Sequence, residues 1–130
     1  MPPGRIPVAA RPDDYIKAAL GLEQAGHLSG ALECYQAAVQ RWPDHVDLRL
    51  ALGNAWYAAG NPERAGQAFA AAAKIEPDLG VAWNNLAHVL AEMGRWTEAE
   101  QAALRAVAAG GERVETFRRT LAEIRSHRPR

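Results

Sequence analysis

The feature that most constrains this chain is a spacing. Gly26, Gly60 and Gly94 stand 34 residues apart, and Ala31, Ala65 and Ala99 repeat that interval, as do Ala38, Ala72 and Ala106. Pro43 and Pro77 keep the same step. Tyr15, Arg49, Trp83 and Phe117 form a further ladder, and Tyr35 and Phe69 another. A period of this size marks an array of supersecondary units, each too small to bury its apolar face alone and each completed by its neighbour. The architecture is set by that stacking before any local propensity is weighed.

The residue types on the ladders describe a pair of helices per unit. Alanines such as Ala65 and Ala72 suit places where antiparallel helices approach closely, because a larger side chain there would push the axes apart. Gly60 follows the apolar run LALGNAWYAA and precedes Asn61-Pro62, which reads as a helix end, a capping residue and a proline at the first turn of the next helix. Pro43 and Pro77 cannot continue a helix interior, so each stops the second helix of a unit. The spacing predicts paired helices over 12–25 and 28–41, 46–59 and 62–75, 80–93 and 96–109, and a seventh helix over 113–126. The expected fold class is all-α: an α-solenoid of antiparallel helix hairpins, about seven helices in all.

Three repeats, 12–45, 46–79 and 80–113, account for most of the chain. The closing stretch 114–130 keeps Phe117, Leu121 and Ile124 on one side and its charges elsewhere, as expected of a capping helix with a basic tail. The opening stretch 1–11 is proline-rich and without period, and reads as a flexible tail or linker.

A 34-residue period with small residues, aromatics and a late proline at fixed offsets resembles the tetratricopeptide repeat family. The middle unit matches best, through Leu52-Gly53, Trp56, Gly60, Ala65, Phe69, Ala72 and Pro77. The first keeps Tyr15, Gly26, Ala31, Tyr35, Ala38 and Pro43 but has Ala18-Ala19 where Leu-Gly is usual. The third keeps Trp83, Leu86, Ala87, Gly94, Ala99 and Ala106 and departs at Ala103 for the aromatic and Gly111 for the proline. The resemblance implies a superhelix whose concave surface is lined by the first helix of each unit. Carried over position by position, that lining is Asp13, Ile16, Lys17, Leu20 and Glu23, then Asp47, Leu50, Asn54 and Tyr57, then Asn84, Asn85, His88 and Glu92, with Glu115, Arg118 and Arg119 from the cap.

Charge and composition narrow the function. With 15 Lys plus Arg against 15 Asp plus Glu, no global positive field draws the chain to nucleic acid or anionic lipid. No apolar run approaches the ~20 residues of a membrane helix, and MPPGRIPVAARP lacks the apolar segment of a signal peptide. A soluble, cytoplasmic protein is expected, or a periplasmic one within a longer exported chain. The single cysteine cannot form an internal disulfide.

Asn84, His88 and Glu92, spaced four apart on one helix face, raise the question of a metal or catalytic site. His88 and Glu92 could share one metal, yet no second His or Cys lies in the stretch to complete a set. Cys34 falls on a second helix, in the outer layer, with no oriented third group. There is no glycine-rich phosphate loop and no serine-centred elbow. No enzyme, metal or cofactor is therefore expected.

Side-chain amides carry both donors and acceptors, so they can bond to the main chain of an extended peptide whatever its sequence. The expected site is a concave groove for a protein or extended peptide, formed by Leu50, Asn54, Tyr57, Asn84, Asn85, His88, Glu92 and Arg119, with Tyr57 and Leu50 as aromatic and apolar anchors. Against the family's carboxylate-clamp subclass, Asn54, Asn85 and Arg119 match, whereas Leu50 and Glu115 stand where lysines belong. The alternative is a structural module, either self-associating into a homo-oligomer or serving as an accessory domain of a larger protein. Similar short arrays occur at the carboxyl end of bacterial cysteine peptidases of the papain-like class. Trp56 and Trp83 are expected at packing positions and Trp96 within a hairpin, while an exposed Trp42 would mark a contact patch at the edge.

Overall fold

The computed structural model describes residues 10–129. Seven helices follow one another: α1 (Pro12–Gln24), α2 (Leu28–Arg41), α3 (Val46–Ala58), α4 (Pro62–Ile75), α5 (Gly80–Glu92), α6 (Trp96–Ala109) and α7 (Val114–His127). Each bound lies within one residue of the position read from the spacing. Among the described residues there is no strand.

The tight turns inside the three hairpins share one backbone solution. Gly26, Gly60 and Gly94 adopt φ of 84°, 77° and 76°, a left-handed conformation that a Cβ disfavours. The next amide then returns to the carbonyl five residues back: His27 to Leu22, Asn61 to Trp56 and Arg95 to Leu90, at 2.8, 3.0 and 2.9 Å. These bonds satisfy helix-end carbonyls that would otherwise be orphaned. At the start of α4 the Asn61 side chain accepts from the Arg64 amide at 3.0 Å, and Pro62 fills the first turn.

The links between units also repeat. Arg49 Nε donates to the Pro43 carbonyl at 3.1 Å, and Trp83 Nε1 donates to the Pro77 carbonyl at 2.8 Å, each reaching back six residues. One ladder position thus performs one task with two different side chains. The third unit ends otherwise: Gly110 and Gly111, at φ 70° and 88°, turn the chain where the first two units use proline.

Close helix approach holds the stack together. Ala31, Ala38, Ala65, Ala72, Ala99 and Ala106 all have 0% exposure. A Cβ on Gly53 would stand 2.4 Å from the Phe69 ring, and one on Gly80 would stand 2.4 Å from the Phe117 ring. Each glycine is therefore the seat of a buried aromatic ring. Ala103, which lacks the aromatic of its ladder, is buried in one cluster with Leu121 and Ile124, so α7 supplies the missing bulk. The last turn of α7 is tied to α6 by Glu100, which accepts from Arg125 Nε at 2.8 Å and Arg128 Nη1 at 2.6 Å. The hydrogen bond from Arg125 is the main cause holding the Glu100 carboxyl below its usual range.

Of the stretch expected as a tail, residues 1–9 lie outside the described residues. Ala10 is buried, and the Arg11 amide donates to Asp14 Oδ2 at 2.8 Å as α1 begins. Trp42 is half-buried and forms no exposed patch, because Tyr15 packs edge-on against it at 5.3 Å and the Arg41 guanidinium lies 4.7 Å above its ring. Trp56 and Trp83 are half-buried at the margin of the core, under Arg64 and Arg105.

Two alanine substitutions separate propensity from space. Gly53→Ala gains helix propensity but drives a methyl group into Phe69, and is expected to lower unfolding free energy by about 1–3 kcal/mol. Gly21→Ala in α1, where a Cβ meets nothing within 4 Å, is expected to raise it by about 0.5–1 kcal/mol. Urea denaturation followed by circular dichroism measures both.

Candidate functional site: the concave groove

Helices α3 and α5 open the second and third units, and the groove forms between them. On α3, Asn54 and Tyr57 are three residues apart; on α5, Asn85, His88 and Glu92 continue at steps of three and four, which places each set on one face. The structure brings these five together around a cleft of about 450 Å³, with Phe69 and Val89 completing its lining. Phe69 and Val89 are buried, so the cleft has an apolar floor below an amide-bearing rim.

Hydrogen bonds settle how the rim side chains present themselves. Tyr57, 50% exposed, donates its hydroxyl to the Glu92 carboxylate, and that bond raises the phenol pKa above its ordinary value. Thr120 of α7 donates to the Thr116 carbonyl at 3.2 Å, and its oxygen stands 3.3 Å from His88 Nε2. This contact ties the His88 ring on α5 to the capping helix.

Three of the eight expected groove residues are placed elsewhere. Asn84 is only 7% exposed, and its Oδ1 has no hydrogen-bond partner among the described residues. Gly80 and His88, one turn to either side of it, meet Phe117 and Thr120 of α7. The cap therefore covers the face on which Asn84 lies, which corrects its placement in the groove. Leu50 is half-buried and packs against the clusters of Phe69 and Ala72, so it supports the floor without lining the cleft. Arg119 is exposed and lies outside the cleft, and Glu115, which stands where a clamp lysine belongs, pairs with Arg118.

Cys34 lies on α2, the second helix of its unit, as the spacing placed it. It is buried, its Sγ donates to the Tyr15 carbonyl at 3.5 Å, and burial pushes the thiol pKa up, the opposite of what an activated nucleophile needs. Among the described residues no group of three or more His, Cys, Asp or Glu is arranged to hold a metal ion. Thr120 escaped the sequence reading although a signal existed: Ala18, Leu52 and Leu86 precede it at 34-residue steps, and it alone breaks that apolar ladder.

The tetratricopeptide repeat family matches residues 16–79 and again 57–124, and the chain belongs to that family. No curated protein matches it in sequence. Among solved structures it is similar to the Sgt2 TPR domain from Aspergillus fumigatus, at TM-score 0.79 and 20% identity, over 88% of this chain and 77% of that one. The Yersinia enterocolitica type III secretion chaperone SycD, in complex with a peptide of the translocator YopD, is similar at TM-score 0.79 and 19% identity, over 90% and 94% of the two chains. The TPR2B domain of yeast Sti1 in its pHsp70 complex follows at TM-score 0.81 and 11% identity, over 90% and 98%. Likeness at this identity speaks to the fold. Among the described residues no helix is long and apolar enough to cross a membrane.

The Tyr57–Glu92 contact across the cleft is open to direct measurement. Glu92→Gln is expected to bring the Tyr57 midpoint back down toward the ordinary tyrosine value in a pH titration followed by ultraviolet absorbance or ring NMR signals. Tyr35, raised first by burial and then by its bond to Glu23, should keep its midpoint and serve as the internal control.

Proposed function

We propose that this chain is a non-catalytic adaptor that binds a partner protein by holding an extended segment of it in the groove between α3 and α5. The observation that carries this reading is the convergence of Asn54, Tyr57, Asn85, His88 and Glu92 from two helices on one cleft with an apolar floor. Asn54 and Asn85 offer donors and acceptors to a peptide main chain, His88 adds a polar ring beside them, and Tyr57 offers an exposed ring for a side chain to lie against. Two of the similar structures are complexes, SycD with a YopD peptide and TPR2B with pHsp70, which supports assigning this groove the same kind of occupant.

The segment is internal to its protein and not a free carboxyl terminus. A terminal carboxylate needs concentrated positive charge, and here Leu50 and Glu115 occupy the clamp's lysine positions.

Selection from a displayed peptide library tests the reading. Peptides recovered by the wild-type protein are expected to bind the combined variant Asn54→Ala, Asn85→Ala, His88→Ala at least about tenfold more weakly, since each lost net hydrogen bond is worth roughly 1 kcal/mol. Circular dichroism of the variant should match wild type, because the three side chains lie at the surface or its margin. Equal affinity for both proteins would place the binding surface elsewhere.

A further inference from the structure

A second cleft, of about 230 Å³, adjoins the groove under α7 and shares His88 and Glu92 with it. Its other walls include Trp96 from the start of α6 and Thr120, Glu123 and His127 from α7. Glu92 and Glu123 bring two carboxylates, which accept only when ionised. Thr120 donates to the Thr116 carbonyl and stands 3.3 Å from His88 Nε2, and His127 Nδ1 stands 2.8 Å from the Glu123 main-chain carbonyl. Trp96 adds an indole N–H donor.

The surrounding cations are turned away. Arg95, next to Trp96, makes a two-point contact with Glu98 at 3.0 and 2.8 Å. Arg125 and Arg128 are held by Glu100 on the α6 side, and Arg118 by Glu115. Arg119, one turn before Glu123, forms no ion pair with it. Among the described residues, two carboxylates thus face the cleft with no cation in an ion pair with either, in a chain whose formal net charge is zero. Glu92 and His127 are also the last residues of α5 and α7, so two helix carboxyl ends bring negative potential to the site, against one amino end from α6.

We propose that this cleft anchors a basic side chain, lysine or arginine, of the partner segment; the inference rests on the groove reading above and adds the charge of the partner to it. The ammonium or guanidinium group finds acceptors for its protons at the Glu92 and Glu123 carboxylates, and Trp96 offers an aromatic wall for its stem or its charge. An anionic side chain meets two like-charged carboxylates and is disfavoured.

A positional library of end-capped decapeptides, with one position fixed at a time, is the probe. Wild type is expected to favour Lys or Arg at one position by roughly threefold to tenfold over norleucine, and the preference should shrink as salt is raised. Glu123 lies outside the main groove, so its variants isolate the anchor. Glu123→Gln should reduce the basic preference and Glu123→Lys should turn it toward Asp or Glu, a reversal that a merely structural role would not produce. A wild type that binds the library without basic preference, or a preference that survives Glu123→Lys, overturns the anchor while the groove reading stands on the loss of binding in Asn54→Ala, Asn85→Ala. A basic preference retained at full affinity by that asparagine variant overturns the groove reading and leaves the anchor in place. No binding by wild type overturns both.

Discussion

The structure depends on how closely its helices can approach. Two aromatic rings show the limit: Phe69 rests on Gly53 and Phe117 on Gly80, in positions where a single methyl group would stand 2.4 Å from a ring carbon. The fully buried alanines keep the remaining helix contacts equally short. This packing reaches the groove without an intermediary, because Phe69 is at once the residue seated on α3 and part of the floor of the cleft. The depth of the groove and the spacing of its walls are therefore consequences of core packing.

The same logic governs the capping helix. Phe117, Leu121 and Ile124 are buried on docking, each worth roughly 1.5–3 kcal/mol of apolar transfer, whereas exposed ion pairs such as those of Glu100 contribute about 0–1 kcal/mol. Apolar burial holds α7 in place, and the charges orient its last turn. The seat of Phe117 on Gly80 then fixes where α7 crosses α5. That crossing covers Asn84, brings Thr120 to His88, and roofs the second cleft. One glycine four residues before Asn84 thus decides which side chains of α5 meet solvent.

These dependencies explain what could be read from the chain beforehand. Helix bounds were legible to within one residue because glycine turns, alanine contacts and proline stops are local and recur at a fixed interval. The co-location of Asn54, Tyr57, Asn85, His88 and Glu92 was implied by the family resemblance, which lines the concave side with first helices, while helical spacing gave only the shared face within each helix. Spacing identifies residues that share a face, but not what covers the face. Asn84 shares the face of His88 and is covered by α7; Leu50 shares that of Asn54 and is drawn into the clusters below. Trp42 was ambiguous for the same reason, since its partner Tyr15 comes from the preceding helix and leaves no mark near it in sequence. Cys34 was assigned to an outer layer by unit position, and its burial against α1 is a tertiary fact.

Two adjacent ladders show how such an array separates folding from recognition. Ala19, Gly53 and Ala87 recur at 34-residue steps and stay small and buried. The very next residues, Leu20, Asn54 and His88, occupy the same position on the neighbouring face, stay exposed, and change from an alkyl group to an amide to an imidazole. A one-residue step around a helix is about 100°, enough to pass from a buried contact held by alanine or glycine to a surface that carries varied chemistry. The small ladder keeps every first helix at the same depth, so the exposed ladder presents its differing groups in register along the concave side. Recognition can then vary unit by unit while the constraint that makes the fold is untouched, and the cleft under α7 arises where the exposed ladder reaches His88 and the small ladder ends at Leu121 of the cap.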